Sequence, residues 1–139
     1  MKGLRLGQAA EIQRTFSAAD VAAYRVLSGD ASLHFATDSG PAQVPGPLLG
    51  GLISHLLGTR LPGRGTNWLK QRYHFPQAAP LDEPITARVE IVRLRPEKML
   101  VNLRTTCTVN AGDLVCEGEA LVLVVDLVDQ DTEQEAPMI

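Results

Sequence analysis

The sequence has few cysteines, few aromatic residues and no excess of positive charge. It contains two cysteines, 4% aromatic residues and a net charge of −3 over 139 residues. Proteins that bind nucleic acids need a clustered basic face, so this charge argues against nucleic acid as a partner. No apolar run reaches the ~18 residues of a membrane helix, and the N-terminal stretch MKGLRLGQAAEIQR lacks the apolar core of a signal peptide. We therefore expect a cytoplasmic protein without a membrane partner.

The two cysteines, Cys107 and Cys116, flank a hairpin signal in the sequence VNAGDL. Glycine tolerates the positive φ angles of tight hairpin turns, so Ala111 and Gly112 are candidates for a two-residue loop. Such a loop would place Cys107 directly opposite Cys116. In a reducing compartment we expect both to be free thiols that pack as small apolar residues. The sequence has no CxxC motif and no Cys/His cluster, so it predicts no metal site.

The remaining patterns predict one α+β domain over residues 1–126, followed by an acidic tail over 127–139. A strand over 8–16 precedes a helix with Ser17 as its N-cap, an acidic residue three positions later, and Gly29 at its end. A second, largely apolar helix starts near Pro47 and is predicted to be buried in the centre. Strands are then predicted over 68–75, 85–94, 100–109 and 114–125. We expect them to form an antiparallel meander that wraps around the central helix.

Two adjacent glycines, Gly50 and Gly51, interrupt the apolar helix. Each costs about 1 kcal/mol relative to alanine in a helix interior. The sequence leaves two explanations for this cost open. Either a ligand or another backbone approaches the helix closely here, or the helix packs tightly on the sheet.

A carboxylate and an imidazole, Asp30 and His34, lie four residues apart directly after the first helix. They precede a segment rich in Gly and Pro that leads into the apolar helix. A carboxylate and a histidine beside a helix N-terminus are groups that proton transfer on a carbonyl compound needs. The alternative is a salt-bridged pair in a loop, and these residues alone do not decide between the two.

Five blocks of sequence are informative together: FSAADV at residues 16–21, LSGD at 27–30, LLGTRLPGRG at 56–65, ITARVE at 85–90 and CEGEALV at 116–122. Taken together they resemble the MaoC-like hydratases, and specifically the (R)-specific enoyl-CoA hydratases with a single hotdog domain. The resemblance implies the hotdog fold, in which an antiparallel sheet wraps one long central helix. It also implies a homodimer, formed by edge-to-edge pairing of two sheets.

The same resemblance implies a reaction, the addition of water to the double bond of a trans-2-enoyl-CoA thioester. Asp30 would be the base that takes a proton from water, and His34 the acid that protonates the α-carbon. Backbone amides near Gly46, at the start of the central helix, would polarise the thioester carbonyl. The resemblance implies no cofactor, because coenzyme A is part of the substrate.

This chain differs from the family pattern at several positions of the site. The family signature Asp-x-Asn-Pro-x-His is one residue shorter here, because Asp30 and His34 enclose only Ala-Ser-Leu. Pro45 stands where the family has a histidine before its helix glycine. Gly51 stands where many members have a serine that hydrogen-bonds the catalytic aspartate.

Basic residues follow the apolar helix at Arg60, Arg64 and Lys70. They are candidates for contact with the phosphates of coenzyme A, because guanidinium groups match phosphate geometry. A solvated surface would have the same composition, and the sequence does not distinguish these two interpretations.

Two other functions remain open at this stage. A protein of the same fold that lost the chemistry would bind acyl-CoA or an acyl carrier without converting it. A thioesterase would instead use Asp30 or Asp38 to activate water, with the amides around Gly46 as its oxyanion hole.

Overall fold

The computed structural model describes residues 3–31 and 43–125, so the predicted acidic tail lies outside the described residues. Within these ranges the helices are α1 (Ala18–Ser28) and α2 (Gly46–Thr59). The strands are β1 (Ala9–Thr15), β2 (Gln43–Val44), β3 (Asn67–His74), β4 (Ala79–Pro80), β5 (Pro84–Arg95), β6 (Leu100–Val109) and β7 (Asp113–Leu123). Neither described helix is long and apolar enough to cross a membrane.

The predicted caps of α1 are both present. The Ser17 side chain accepts a hydrogen bond from the Asp20 amide at 3.3 Å, and the Asp20 carboxylate accepts one from the Ser17 amide at 2.8 Å. This reciprocal pair satisfies two amides that would otherwise lack partners in the first turn. Gly29 ends the helix in the left-handed conformation, with φ 76°, and its amide bonds to the Arg25 carbonyl.

Five strands form one antiparallel sheet in the order β1-β5-β6-β7-β3. The predicted meander is therefore correct for β5, β6 and β7 but wrong for β3, which pairs with β7 instead of β5. The chain leaves the sheet after His74 and forms β4, which pairs with β2, before β5 begins. Gly118 in β7 has no side chain, and this allows the carbonyl of Arg72 in β3 to approach closely.

One side of α2 packs on the sheet and forms the centre of the hydrophobic core. The large buried side chains of this helix are Leu49, Ile53, Leu56 and Leu57. They share the core with the inward-facing residues of the central strands, among them Ile85, Val89, Ile91, Val101, Leu103, Cys107, Cys116, Ala120 and Val122. The other side of α2, with Gly51, Ser54 and His55, is exposed. The helix is thus central, as predicted, but it is buried on one side only.

The hairpin between β6 and β7 brings the two cysteines together, but not through the predicted two-residue loop. The loop has three residues, 110–112, because Val109 pairs with Asp113. A register shift directly after Cys107 compensates for the additional loop residue and restores the pairing of Cys107 with Cys116. Both cysteines are buried free thiols, as predicted.

Candidate functional site

A cavity of about 520 Å³ lies between the open side of α2 and the edge strand β3. This volume is within the range of small-molecule sites, roughly 300–1,000 Å³. The walls are Gly46, Pro47, Gly50, Gly51 and Ser54 from α2, and Trp68, Tyr73 and Phe75 from the segment that contains β3. Because small helix residues face aromatic rings, the cavity is a mostly apolar slot that suits a hydrocarbon chain.

The N-terminus of α2 lies at one end of this slot. Gly46 and Phe75 also line a second cavity, of about 480 Å³, so Gly46 borders both spaces. A Cβ added at Gly46 would lie 2.8 Å from Cζ of Phe75, and only glycine leaves room for that ring. No side chain among the described residues caps this helix. Pro47 has no amide hydrogen and the Leu48 amide donates to the Pro45 carbonyl at 3.0 Å, so the groups that this end can offer an oxyanion are the Gly46 amide and the positive end of the helix dipole.

Tyr73 and Phe75 form an aromatic wall opposite the helix glycines. Their ring centroids are 5.7 Å apart. The Tyr73 hydroxyl lies against Gly50, where an added Cβ would be 2.8 Å away, and it is buried without a hydrogen-bond partner among the described residues. Burial raises the pKa of Tyr73 far above its usual value, so this hydroxyl stays protonated as a donor. The cost of Gly50 in the helix is thus explained by packing against a side chain of β3.

Trp68, the third aromatic residue of the slot, is held by a series of hydrogen bonds. The Trp68 indole donates to the Gln71 side-chain oxygen at 3.2 Å, and the Gln71 amide group donates to the Thr105 hydroxyl at 2.9 Å. Thr105 is fully buried in β6. Trp68 is therefore held by the core of the sheet, although it belongs to an edge strand.

Asp30, the predicted base, is fixed by three hydrogen bonds to the end of α1. The Tyr24 hydroxyl donates to its carboxylate oxygen Oδ2 at 3.0 Å. Its amide donates to the Ser28 hydroxyl at 3.1 Å, and its carbonyl accepts from Nε of Arg25 at 3.3 Å. Asp30 is half-buried. The structure therefore gives this residue a defined position directly after Gly29.

His34, the predicted acid, lies outside the described residues, and so does Asp38. Their positions relative to Asp30 and Gly46 remain predictions from the sequence.

The three basic residues that were candidates for phosphate contacts lie in two different places. Arg60 ends α2, and Arg64 is exposed in the turn that follows. The 14 residues of α2 rise 1.5 Å each, which places Arg60 roughly 20 Å from Gly46 along the helix. Lys70 instead lies on β3 beside Arg72 and Glu119, away from the slot. The structure thus groups Arg60 with Arg64 and separates Lys70 from them.

Sequence reasoning missed Tyr24 and the aromatic wall. A signal for the wall exists, because three of the six aromatic residues (one Trp, two Tyr and three Phe) fall between positions 68 and 75. In the described part of the chain, no group of three or more His, Cys, Asp or Glu residues is arranged to hold a metal ion.

Two known proteins that are similar in sequence to this chain are named as a hydratase and a dehydratase. No family model matches the sequence. The chain is 39% identical over 128 residues to an (R)-specific enoyl-CoA hydratase of Rhodospirillum rubrum, covering 87% of this chain and 88% of that protein. It is 34% identical to a 3-hydroxybutyryl-CoA dehydratase of Methylorubrum extorquens, covering 87% of this chain and 81% of that protein.

Among solved structures, an (R)-hydratase from A. caviae involved in PHA biosynthesis superimposes on this chain with a TM-score of 0.83 and 37% sequence identity. The match covers 89% of this chain and 99% of that one. The predicted hotdog fold is thereby confirmed.

Proposed function

We propose that this chain, which belongs to the family of (R)-specific enoyl-CoA hydratases, adds water to the double bond of trans-2-enoyl-CoA thioesters and catalyses the reverse dehydration. The relatives named above as hydratase and dehydratase act in these two directions. The observation that carries the proposal is the apolar slot that ends at the uncapped N-terminus of α2. A thioester needs both parts, because its acyl chain is apolar and its carbonyl oxygen gains negative charge during the reaction.

In this reaction Asp30 takes a proton from water while the oxygen of that water bonds to the β-carbon of the substrate. The electron pair of the double bond moves towards the thioester carbonyl, and the Gly46 amide together with the positive end of the α2 dipole stabilises the enolate-like oxygen. His34 then delivers a proton to the α-carbon. The acyl chain occupies the slot between Gly50 and the aromatic wall. No cofactor enters any step, and coenzyme A takes part as the substrate's carrier.

The phosphates of coenzyme A are assigned to Arg60 and Arg64. Both residues follow the far end of α2, and their guanidinium groups match the geometry of phosphates. Lys70 contributes less in this arrangement, because it lies beside Glu119 away from the slot.

The functional protein is a homodimer in this proposal. The edge strand β3 pairs with β7 on one side only. Trp68 and Leu69 on this strand are 39% and 54% exposed, and Phe75 directly after it is 44% exposed. A second copy of β3 would pair with this edge and close the slot from the side. Light scattering should give the mass of two chains, and Leu69→Lys should shift the protein towards the monomer. A monomeric wild-type protein at micromolar concentration would contradict this part of the proposal.

We place the protein in the cytoplasm. Cys107 and Cys116 face each other as free thiols on neighbouring strands, which fits a reducing compartment.

The direct test is the loss of enoyl absorbance with crotonyl-CoA and with a longer trans-2-enoyl-CoA, for the wild type beside Asp30→Asn. The variant keeps the size of the side chain but removes the base, so its kcat should fall about 10²- to 10⁴-fold. Circular dichroism and the melting temperature control for folding.

Other outcomes identify other functions. Release of a free CoA thiol, without hydration, would indicate a thioesterase. Binding of crotonyl-CoA by a folded wild-type protein that neither hydrates nor hydrolyses it would indicate a binding protein. Either result would overturn the hydratase proposal.

A further inference from the structure

We infer that Tyr24 is a positioning residue for the proposed base: its hydroxyl holds one carboxylate oxygen of Asp30 and so directs the other towards the reacting water. This inference rests on the proposed function of Asp30. The two oxygen atoms are 3.0 Å apart, and both residues are half-buried. Tyr24 does not touch the substrate in this arrangement and acts only through Asp30.

Three of the hydrogen bonds around Asp30 involve main-chain atoms, whereas the Tyr24 contact acts on the carboxylate itself. Ser28 accepts from the Asp30 amide and donates to the Tyr24 carbonyl at 2.7 Å, which ties Asp30 to the last turn of α1. Arg25 donates to the Asp30 carbonyl. These three bonds involve main-chain atoms, and none of them acts on the carboxylate of Asp30. The Tyr24 hydroxyl bonds directly to the carboxylate and does restrain it.

The tyrosine hydroxyl remains a donor over the pH range in which the enzyme would work. Partial burial, and next to it the hydrogen bond to Asp30, raise the pKa of Tyr24 above its ordinary value of 10.0. A hydrogen bond to an ionised carboxylate is stronger than one between neutral groups. The contact therefore favours a single orientation of an ionised Asp30.

Orientation matters because a base must meet the proton it abstracts. A misplacement of about 1 Å can cost about a hundredfold in rate. Tyr24→Phe keeps the ring and removes only the hydroxyl. We expect kcat for crotonyl-CoA to fall about 10- to 100-fold, the range of one hydrogen bond to a charged group. KM should remain nearly unchanged, because the substrate slot does not include Tyr24.

A second measurement tests the contact without using activity. The chain has two tyrosines, so the protein labelled with 3-fluorotyrosine should give two ¹⁹F resonances. Tyr24→Phe and Tyr73→Phe assign them. Asp30→Asn should shift the Tyr24 resonance and leave the Tyr73 resonance in place, because the Tyr24 hydroxyl donates to the carboxylate whereas the Tyr73 hydroxyl lies against Gly50.

The two measurements separate the possible outcomes. A kcat loss at constant KM, together with the selective resonance shift, supports the inference. A normal kcat for Tyr24→Phe, a fall in rate that comes only from a lower melting temperature, or an unmoved Tyr24 resonance would overturn it. If the folded wild type hydrates no enoyl-CoA, the proposed function fails and the positioning role fails with it. The resonance shift then shows whether the contact itself is formed.

Discussion

Gly50 and Gly51 should respond in opposite ways to replacement by alanine, although they are neighbours on one helix. Alanine is favoured over glycine in a helix interior by about 1 kcal/mol. A Cβ added at Gly51 meets no atom within 4 Å in the described part of the chain, so Gly51→Ala should gain this amount. A Cβ added at Gly50 would lie 2.8 Å from the Tyr73 hydroxyl and 3.4 Å from the ring carbon that carries it. Gly50→Ala must therefore displace Tyr73.

The displacement of Tyr73 determines how much less stable Gly50→Ala is than Gly51→Ala. The ring also packs against Phe75, with centroids 5.7 Å apart, so it cannot move freely away from the helix. Overpacking of this kind costs about 1–3 kcal/mol, which cancels or exceeds the gain in helix propensity. We expect the free energy of unfolding of Gly51→Ala to exceed that of Gly50→Ala by about 1–3 kcal/mol. For a chain of this length the melting temperatures should differ by about 3–10 °C.

Thermal and urea unfolding of the two variants beside the wild type measure this difference. Activity adds a second readout, because Gly51 lines the substrate slot. The methyl group of Gly51→Ala should raise KM for a long enoyl-CoA more than for crotonyl-CoA, even though it stabilises the fold. Equal stability of the two variants would show that Tyr73 does not pack on Gly50. Destabilisation by Gly51→Ala would show that another part of the protein covers this position.

Two further predictions concern the sheet and the first helix. Gly118→Ala places a Cβ against the Arg72 carbonyl. Because the backbone of β3 must then move, the substitution should destabilise the fold by about 3–5 kcal/mol. An unchanged midpoint of urea unfolding would contradict the β3–β7 pairing. The Ser17 backbone amide, aided by the Ser17 hydroxyl and Arg14, lowers the pKa of Asp20 below its ordinary value of 3.8. Its carboxylate therefore stabilises the folded state above that value, and the contribution is lost as the pH falls through the lower folded-state pKa. Urea unfolding should show wild type more stable than Asp20→Asn at pH 7, with the gap shrinking below about pH 4; a gap independent of pH would rule this out.

The sequence predicted those elements whose determinants lie within a few residues of each other. Ser17 and Asp20 complete their capping box within one turn, and Gly29 ends the same helix. The partner of β3 was predicted wrongly because it depends on Gly118, which lies far along the chain. Strand periodicity shows which residues face the core, but it does not show which strands are neighbours.

In the candidate site, too, the sequence predicted some residues and missed their partners. Asp30 was identified from its spacing and from family resemblance, but its partner Tyr24 was not. The resemblance directed attention to Gly51, which has no hydroxyl to offer a carboxylate. In the structure a hydroxyl reaches Asp30 from α1 instead. Helical spacing places Tyr24 on α1, but only the left-handed turn at Gly29 brings Asp30 back towards it.

Substitutions around Asp30 and substitutions in the slot should affect the protein differently. The contacts of Asp30 described above all come from the last two turns of α1, a helix in which Val21 is the only buried residue. Changes of the Tyr24 and Asp30 side chains should therefore alter the rate with little effect on unfolding. The slot is formed by the packing of α2 on β3, and Thr105, which bonds Gln71 of β3, is fully buried. Changes that disturb this packing, as Gly50→Ala does and Gly51→Ala does not, should lower the melting temperature and weaken substrate binding together.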